Sequence, residues 1–214
     1  PTVKEAGGGQ EPGTRSATPP EELNKLAGYW TDVEKSRAEA RKLLKEAGVP
    51  EGFQFTFLNR GIPMPYEPLG VWLIDQWRRV GLNVTQQVIE PAAYYGPLRK
   101  GDFQVAMDFQ CGYIVEPDLD MYKFLSTDRN HANYGRYTDR VLDELYDKQS
   151  RETNVEKRKA LVRQFEKRLL EDEAHYLMTL QWHRIIPHSA KMKGWTVTPS
   201  HYLNQTLDTV WLDQ

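Results

Sequence analysis

The feature that most constrains the fold of this sequence is an alternation of strand and helix patterns in its first half. Phe53, Phe55 and Phe57 alternate with polar residues, which predicts a strand with one buried face. A helical pattern follows, then a second strand around Val84, a short helix and a third strand from Phe103 to Phe109. Parallel strands need crossover connections, and helices supply them in this order. The sequence therefore predicts an α/β fold with two right-handed crossover units and a parallel core sheet.

The sequence also contains signals for where the helices around this predicted sheet begin and end. Thr31-Asp-Val-Glu34 matches the capping box S/T-x-x-E, and Gly48 suits the position just after a helix end. The next helix has a stripe of apolar residues at helical spacing, whereas the helix from Pro91 to Arg99 is weakened by Gly96-Pro97. The stripe consists of Leu69, Trp72, Leu73, Trp77 and Val80.

The second half of the chain is predicted to be helical and then extended. Two amphipathic helices begin at Thr138 and Asn154. Apolar alternation predicts a further strand from Tyr176 to Trp182, and two short extended pieces cover 194–197 and 208–212. Together these elements predict a mixed sheet flanked by helices.

Residues 1–30 differ from the rest of the chain. Gly7-Gly8-Gly9, Pro12-Gly13 and Pro19-Pro20 interrupt any periodic pattern. We interpret residues 1–30 as an extended connector, with plain disorder as the alternative, and residues 31–214 as one folded lobe.

Composition excludes several classes of function. The net charge is -2 and the isoelectric point about 6.3, which gives no electrostatic case for nucleic-acid binding. No apolar run approaches the roughly 20 residues that a membrane-spanning helix needs. With one cysteine, Cys111, the chain cannot form an internal disulfide.

The sequence also argues against catalysis and against a metal site. It contains no G-x-S-x-G, no P-loop and no H-E-x-x-H motif. Cys111 has no family-specific signature of a nucleophile and resembles a small apolar filler. The five histidines are scattered without the spacing of metal ligands. We therefore expect no catalytic residues, no metal and no cofactor.

The stretch that follows the third strand is the strongest candidate for a binding site. Gln110, Cys111, Gly112 and Tyr113 form a short irregular loop before Glu116-Pro-Asp118. In open α/β sheets, ligands bind outside the carboxyl ends of the strands. The alternative is that the loop is a simple connector and the strand residues before it are plain core.

A set of motifs in this region and around it resembles a known family. They are Gly101-Asp-Phe-Gln104, Gly112, Glu116-Pro-Asp118, Asn130-His-Ala-Asn-Tyr134 and Asp139, flanked by Ala40-Arg-Lys-Leu-Leu44, Gly52-Phe53 and Arg158-x-x-Leu161. In this order and spacing they resemble family 5 of the extracellular solute-binding proteins, which are the peptide, dipeptide and nickel binding proteins of ABC importers.

The resemblance implies a fold and a function. The fold would be the C-terminal lobe of a two-lobe, type II periplasmic binding protein, with the strand at about 208–212 returning to the other lobe. The function would be non-catalytic capture of a small solute by a monomer, in the periplasm or anchored outside the cell membrane, for a membrane permease. Two alternatives stay open: a ligand-sensing module that docks on a receptor, and a stand-alone α/β enzyme.

The resemblance also suggests the residues of the cleft wall and the kind of ligand. The wall would consist of Asn59, Met107, Phe109, Gln110, Cys111, Gly112, Tyr113 and Trp182. Peptide-binding members use an aspartate at the position of Tyr113, and some use an arginine at that of Met107. Tyrosine and methionine cannot neutralise a buried ammonium or carboxylate. We therefore expect an aromatic, amphiphilic or glycosidic ligand, with a peptide as the alternative.

Overall fold

A computed structural model describes residues 8–10, 14–110, 114–181, 186–196 and 207–213. In order, its elements are α1 (Pro20–Leu23), α2 (Val33–Glu46), β1 (Gln54–Arg60), α3 (Tyr66–Arg79), β2 (Asn83–Ile89), α4 (Pro91–Lys100), β3 (Val105–Ala106), α5 (Pro117–Tyr122), α6 (Arg140–Arg151), α7 (Val155–Lys167), a π-helical turn (Arg168–Asp172), β4 (Met192–Lys193) and β5 (Trp211–Leu212).

The chain divides into two compact units. The sheet unit comprises Asn24–Phe109 and Ser126–Thr138, and the helical unit comprises Pro1–Leu23, Gln110–Leu125 and Asp139–Gln214. The boundary at residue 30 between a connector and a lobe stays a prediction.

The sheet unit contains the parallel core that the sequence predicts. Its strands lie in the order β2-β1-β3, and β1 pairs in parallel with both neighbours. The crossovers from β1 to β2 and from β2 to β3 run in opposite directions across the sheet. The right-handed rule therefore places α3 and α4 on opposite faces. All three strands end at one edge, which we call the carboxyl edge.

Each face of β1 packs against one of these helices. Phe57 joins the α3 residues Tyr66 and Leu73 in one buried cluster. Leu58, which points to the opposite face, packs with the α4 residues Tyr94 and Leu98. The core of the unit is thus built by alternation along a single central strand.

The third strand is shorter than its apolar alternation predicts. The side-chain oxygen of Gln104 accepts a hydrogen bond from the backbone nitrogen of Thr56 at 2.8 Å. Because this side chain takes a place in the ladder that a backbone carbonyl would fill, regular pairing begins only at Val105.

Helix α4 extends one residue beyond the predicted end at Arg99 and continues through Gly96-Pro97, where the sequence predicts a weak point. Glu90 caps its first turn by accepting from the nitrogen of Ala92 at 2.8 Å. Gly96 has no Cβ to clash with Pro97, so the helix continues to Lys100. It ends at Gly101, whose φ of 69° is left-handed.

The helical unit is built around α6 and α7. Its buried residues include Leu142 and Leu145 from α6 and Val162 and Phe165 from α7. The buried carboxylate of Glu166 accepts from the nitrogen of Gln10 at 3.1 Å and from the Thr18 hydroxyl. These hydrogen bonds hold Gln10 and Thr18, near the start of the chain, against α7. The nearby α1 is a helical turn, whereas the sequence predicts an extended segment.

The last part of the chain differs from the sequence prediction. Residues 176–181 form no strand, and the amide nitrogen of Gln181 donates to the carbonyl oxygens of Gly8 and Gln10 at 3.2 and 3.1 Å. Side-chain hydrogen bonds thus hold this segment where a ladder was predicted. The short strands β4 and β5 pair antiparallel, so the fold is α/β with parallel and antiparallel pairing. Among the described residues, no helix has both the length and the apolar character for crossing a membrane.

Candidate functional site

The carboxyl edge of the sheet holds a buried arginine that sequence reasoning missed. Arg60 is the last residue of β1, and 8% of its surface is exposed. Charged residues are rarely buried to this degree unless they are paired. This residue therefore marks a candidate site at the carboxyl edge.

Four aromatic rings surround the guanidinium of Arg60. Its Cζ lies 4.8 Å from the ring centroid of Tyr66, 4.9 Å from Phe109, 5.4 Å from Tyr95 and 5.5 Å from Tyr94. One guanidinium nitrogen donates to the Tyr66 hydroxyl at 3.2 Å. The rings come from the start of α3, from α4 and from the chain after β3. We call these four residues and Arg60 the aromatic cage.

Among the described residues, Arg60 has no carboxylate in direct contact, although Asp108 of the sheet unit is close enough to add to burial in raising the pKa values of Tyr66 and Tyr94. No carboxylate of the described residues forms an ion pair with Arg60, and its Nε has no hydrogen-bond partner. Cation–π attraction offsets part of the desolvation cost. The cage is thus a preformed cationic site with apolar walls.

Asn59 supports the cage from inside. It is fully buried; its amide nitrogen donates to the Tyr66 carbonyl at 2.8 Å and its oxygen accepts from the Arg60 nitrogen at 2.8 Å. Gly70 leaves room for this arrangement, because a Cβ there would lie 2.5 Å from the Asn59 amide nitrogen. Asn59 therefore positions two cage residues, and its direct contact with a ligand stays a prediction.

The other residues predicted for the cleft wall have different environments. Met107 is buried in the core cluster with Phe57, whereas Phe109 is 41% exposed and belongs to the cage. Gln110 is exposed, and its side chain donates to the carbonyl of Asp120 at 2.8 Å. Their contact with a ligand stays a prediction. Cys111, Gly112, Tyr113 and Trp182 lie outside the described residues.

The cage environment raises the pKa of Tyr94. Burial is the main cause, the negative charge of Asp108 adds to it, and Arg60 opposes it. The Tyr94 hydroxyl donates to the carbonyl of Met107. Burial likewise raises the pKa of Tyr66. Both hydroxyls therefore stay protonated donors or acceptors around the guanidinium at neutral pH.

This shift predicts a loss of stability in alkali. The unfolded chain releases a tyrosine proton near pH 10, whereas folded Tyr94 holds its proton to higher pH. The contribution of Tyr94 to stability is therefore complete below about pH 10 and is lost as the pH rises toward the folded pKa. We expect the free energy of unfolding to fall by up to about 1.4 kcal/mol per pH unit there, and less steeply in Tyr94→Phe. Urea titrations between pH 9 and pH 11 measure this, and equal slopes for the two proteins would contradict it.

A second cavity, of about 480 Å³, lies near the end of α4. It is lined by the exposed side chains of Arg99, His131 and Arg136 and by Asn133, which is buried. Within the described ranges, no group of three or more His, Cys, Asp or Glu side chains is placed to hold a metal ion.

The fold is that of a known class of protein. Solved structures of type II periplasmic binding proteins share it. The periplasmic binding protein DppA of Helicobacter pylori, in complex with the peptide STSA, matches with a TM-score of 0.70 at 23% identity over 87% of this chain and 35% of its own. HbpA2 of Haemophilus parasuis matches with a TM-score of 0.65 at 18% identity over 97% of this chain and 38% of its own.

The family follows from the sequence match. The model of the bacterial extracellular solute-binding proteins, family 5, middle region, covers residues 2–132, and the chain belongs to this family. This finding confirms the resemblance that the motifs indicate.

Curated relatives are similar over part of their length. Heme-binding protein A of Haemophilus influenzae is 23% identical over 184 residues, which cover 84% of this chain and 33% of the relative. The dipeptide-binding protein of Escherichia coli is 24% identical over 189 residues, 84% of this chain and 34% of the relative. Di/tripeptide-binding protein 1 of Pseudomonas aeruginosa is 28% identical over 134 residues, 59% and 25% respectively. The chain thus spans about a quarter to a third of the length of these relatives.

Proposed function

We propose that this protein captures a small organic solute, without changing it chemically, and delivers it to the membrane permease of an ABC importer. The observation that carries the proposal is the aromatic cage, a buried guanidinium among four rings at the carboxyl edge of a parallel sheet. Ligand sites combine mostly apolar and aromatic walls with a few placed polar groups, as the cage does.

In this proposal the carboxyl edge forms one wall of a two-lobe cleft. Of the residues predicted from the family resemblance, Asn59, Met107 and Phe109 belong to the sheet unit and would contribute to this wall. Contact of Gln110, Cys111, Gly112, Tyr113 and Trp182 with the ligand stays a prediction. The protein acts as a monomer in the periplasm, or outside the cell while anchored to the membrane. Membership of the solute-binding family supports this setting.

The ligand that fits the cage best has an aromatic or amphiphilic body. Aromatic rings stack on such a body with favourable edge or offset geometry. Tyr95 is half-buried and Phe109 is 41% exposed, so both can be reached from solvent. A short peptide is the second candidate, favoured by the names of the Escherichia coli and Pseudomonas aeruginosa relatives.

Replacing the cage residue Phe109 tests the proposal. We expect Phe109→Ala, in the natural full-length protein, to weaken ligand binding by about tenfold or more, because aromatic anchors dominate binding energy. The matched control is Trp72→Ala on α3, which removes an aromatic side chain that is 54% exposed and lies outside the cage. Calorimetry with hemin, the peptide STSA, a dipeptide and an aryl glucoside measures the affinities.

Three results would contradict the proposal or its assignment to the cage. One is that none of the four compounds binds or raises the melting temperature, since a ligand at 100 times its Kd adds about 2.7 kcal/mol of stability. The second is that a bound compound is converted to a product, which mass spectrometry of the mixture would detect and which would favour an enzyme. The third is equal losses in Phe109→Ala and Trp72→Ala, which would place the site away from the cage.

A further inference from the structure

The cavity of about 480 Å³ near the end of α4 has a lining of one charge sign. A cavity of this size has room for a small organic molecule. None of the described residues that line it is acidic, and a concave surface lined by one sign of charge attracts ions of the other sign. The basic side chains of this lining are Arg99, His131 and Arg136.

This cavity is separate from the aromatic cage. Helix α4 connects the end of β2 to the start of β3, so it runs from the carboxyl edge to the opposite edge of the sheet. Arg99 lies one helical turn beyond the cage residue Tyr95, and its Cζ is 5.8 Å from the ring centroid of that tyrosine. None of the five cage residues lines the cavity. A ligand in the cavity would therefore occupy a second site.

The side chain of Arg136 is held in one place by the turn at the end of α4. Its backbone φ of 55° is left-handed, which is uncommon for a residue other than glycine. Its guanidinium donates to the carbonyl oxygen of Lys100. Gly101 leaves room for this side chain, because a Cβ there would lie 2.5 Å from the Cδ of Arg136. The guanidinium is thus positioned without a ligand.

The side chain of Arg99 is also positioned by neutral groups. It lies against the Tyr95 ring and interacts with the Tyr134 hydroxyl. In the part of the chain that the structure describes, no carboxylate forms an ion pair with Arg99 or with Arg136. A guanidinium has five N–H donors. Both arginines therefore retain donors for an anion in the cavity.

The opposite wall of the cavity is an ordered loop. Asn133 is buried, and its amide nitrogen donates to the carbonyl oxygen of Tyr137 at 3.1 Å. The Thr127 hydroxyl donates to the same carbonyl at 3.1 Å. These two bonds close the loop that carries His131. A wall that is ordered in advance lowers the entropic cost of binding.

We propose that this cavity binds a phosphate monoester through the guanidinium groups of Arg99 and Arg136. A phosphate monoester carries close to two negative charges at pH 7, which the two arginines match, whereas a monocarboxylate carries one. Guanidinium groups also bind phosphate oxygens with paired hydrogen bonds. The inference goes beyond the proposed function, because it adds a site outside the cage. The monoester can come from two sources, a soluble ester or the headgroup of phosphatidic acid.

Calorimetry on the natural full-length protein tests the site with glycerol 3-phosphate and, as its singly charged counterpart, glycerate. Salt at about 0.15 M screens weak attraction between exposed charges. We expect glycerol 3-phosphate to bind about tenfold or more tightly than glycerate, the size of one charged hydrogen bond. Sedimentation with vesicles of phosphatidylcholine, with and without phosphatidic acid, tests the lipid source.

Variants of the two arginines locate the binding. Arg99→Gln and Arg136→Gln should each weaken binding of the phosphate probe by about tenfold or more. The two residues lie in different segments, so a folding defect in one variant leaves the other as a test. The control is Arg41→Gln on α2, since Arg41 is also exposed and also donates to a backbone carbonyl, that of Arg79 at 3.0 Å. It should retain the wild-type affinity.

The outcomes distinguish this inference from the proposed function. Binding of glycerol 3-phosphate, of vesicles with phosphatidic acid, or of both supports the site and identifies the source of the monoester. If wild type binds neither, or binds glycerate as tightly as glycerol 3-phosphate, the inference is wrong while the solute-binding function stands. If Arg99→Gln and Arg136→Gln bind the phosphate probe no more weakly than Arg41→Gln, the cavity is not the site and the inference is also wrong.

Discussion

Replacing Asp139 with alanine is expected to lower the free energy of unfolding by about 3 kcal/mol or more. The side chain of Asp139 is 3% exposed and contacts Arg168 at 2.7 Å and His175 at 3.2 Å. It also caps α6 by accepting from the nitrogens of Val141 and Leu142 at 3.0 and 3.1 Å. One truncation therefore removes a cap and the buried carboxylate partner of Arg168, which among the described residues keeps only its ion pair with the more exposed Glu173 at 3.0 Å. Urea denaturation of the natural protein at pH 7 measures the loss.

The effect of this substitution should depend on pH. Burial opposes ionisation of Asp139, but hydrogen bonds from Arg168, the Leu142 nitrogen and His175 outweigh it and lower the pKa below its ordinary value. A lowered pKa stabilises the fold above the unfolded value, near pH 4, and the contribution is lost as the pH falls through the folded value. The difference between wild type and Asp139→Ala should therefore shrink between about pH 4 and pH 2.

Asp32→Ala is the matched control for the cap alone. Asp32 caps α2 from an exposed position by accepting from the Lys35 nitrogen at 3.0 Å. The expected loss is about 1 kcal/mol, the usual value for an N-cap. Similar losses in the two variants would mean that the contacts of Asp139 with Arg168 and His175 contribute little.

The central sheet could be predicted from the sequence because its signals are local. The alternation at Phe53, Phe55 and Phe57 places the central strand, and Asn154 caps a helix as its residue type suggests. The start of a predicted helix can be wrong by one residue where two neighbouring residues are equally good caps. The capping box predicts Thr31 as the cap of α2, but Asp32 takes this role, since an aspartate caps as well as a threonine.

In the third strand, one side chain interrupts the alternation that the sequence predicts. Alternation predicts that Phe103, Val105 and Met107 lie on one face. In the structure Phe103 packs with the Leu58 cluster, whereas Val105 and Met107 belong to the Phe57 cluster on the other face. The change occurs at Gln104, whose side chain bonds to the backbone of β1. A period of two cannot anticipate a polar side chain that enters the ladder.

The cage could not be predicted because it depends on tertiary contacts. In the sequence, Asn59-Arg60-Gly61 has the pattern of a strand end, where an arginine is ordinarily exposed. Its burial depends on rings from three separate segments that meet only when both crossovers have formed. The sequence does contain the parts of the cage, since Arg60 ends one strand, Tyr66 begins the next helix and the Tyr94-Tyr95 pair lies in the helix after it. These residues can be brought together only once the order of the strands in the sheet is known.

Replacing Phe57 with alanine is expected to cost about 3–5 kcal/mol of unfolding free energy, the range for a fully buried phenylalanine. Phe57 is 1% exposed and meets the ring of Trp77 edge-on at 5.4 Å. It also packs with Tyr66 in one cluster, so the cavity lies beside a residue that bonds to Arg60. We therefore expect weaker binding of whichever of the four compounds wild type binds, as well as lower stability.

Phe55→Ala is the control that distinguishes an effect on the sheet core from an effect on the cage. Phe55 occupies the same face of β1 and meets Trp77 at the same 5.4 Å, but it is half-buried and lies farther from the carboxyl edge. Its replacement should cost about 1–2 kcal/mol, because less apolar surface is lost from the interior. It should leave the affinity for the same compound within about twofold of wild type, since Phe55 has no contact with a cage residue. If Phe55→Ala and Phe57→Ala weaken binding equally, the packing of Phe57 against Tyr66 does not determine the position of Arg60.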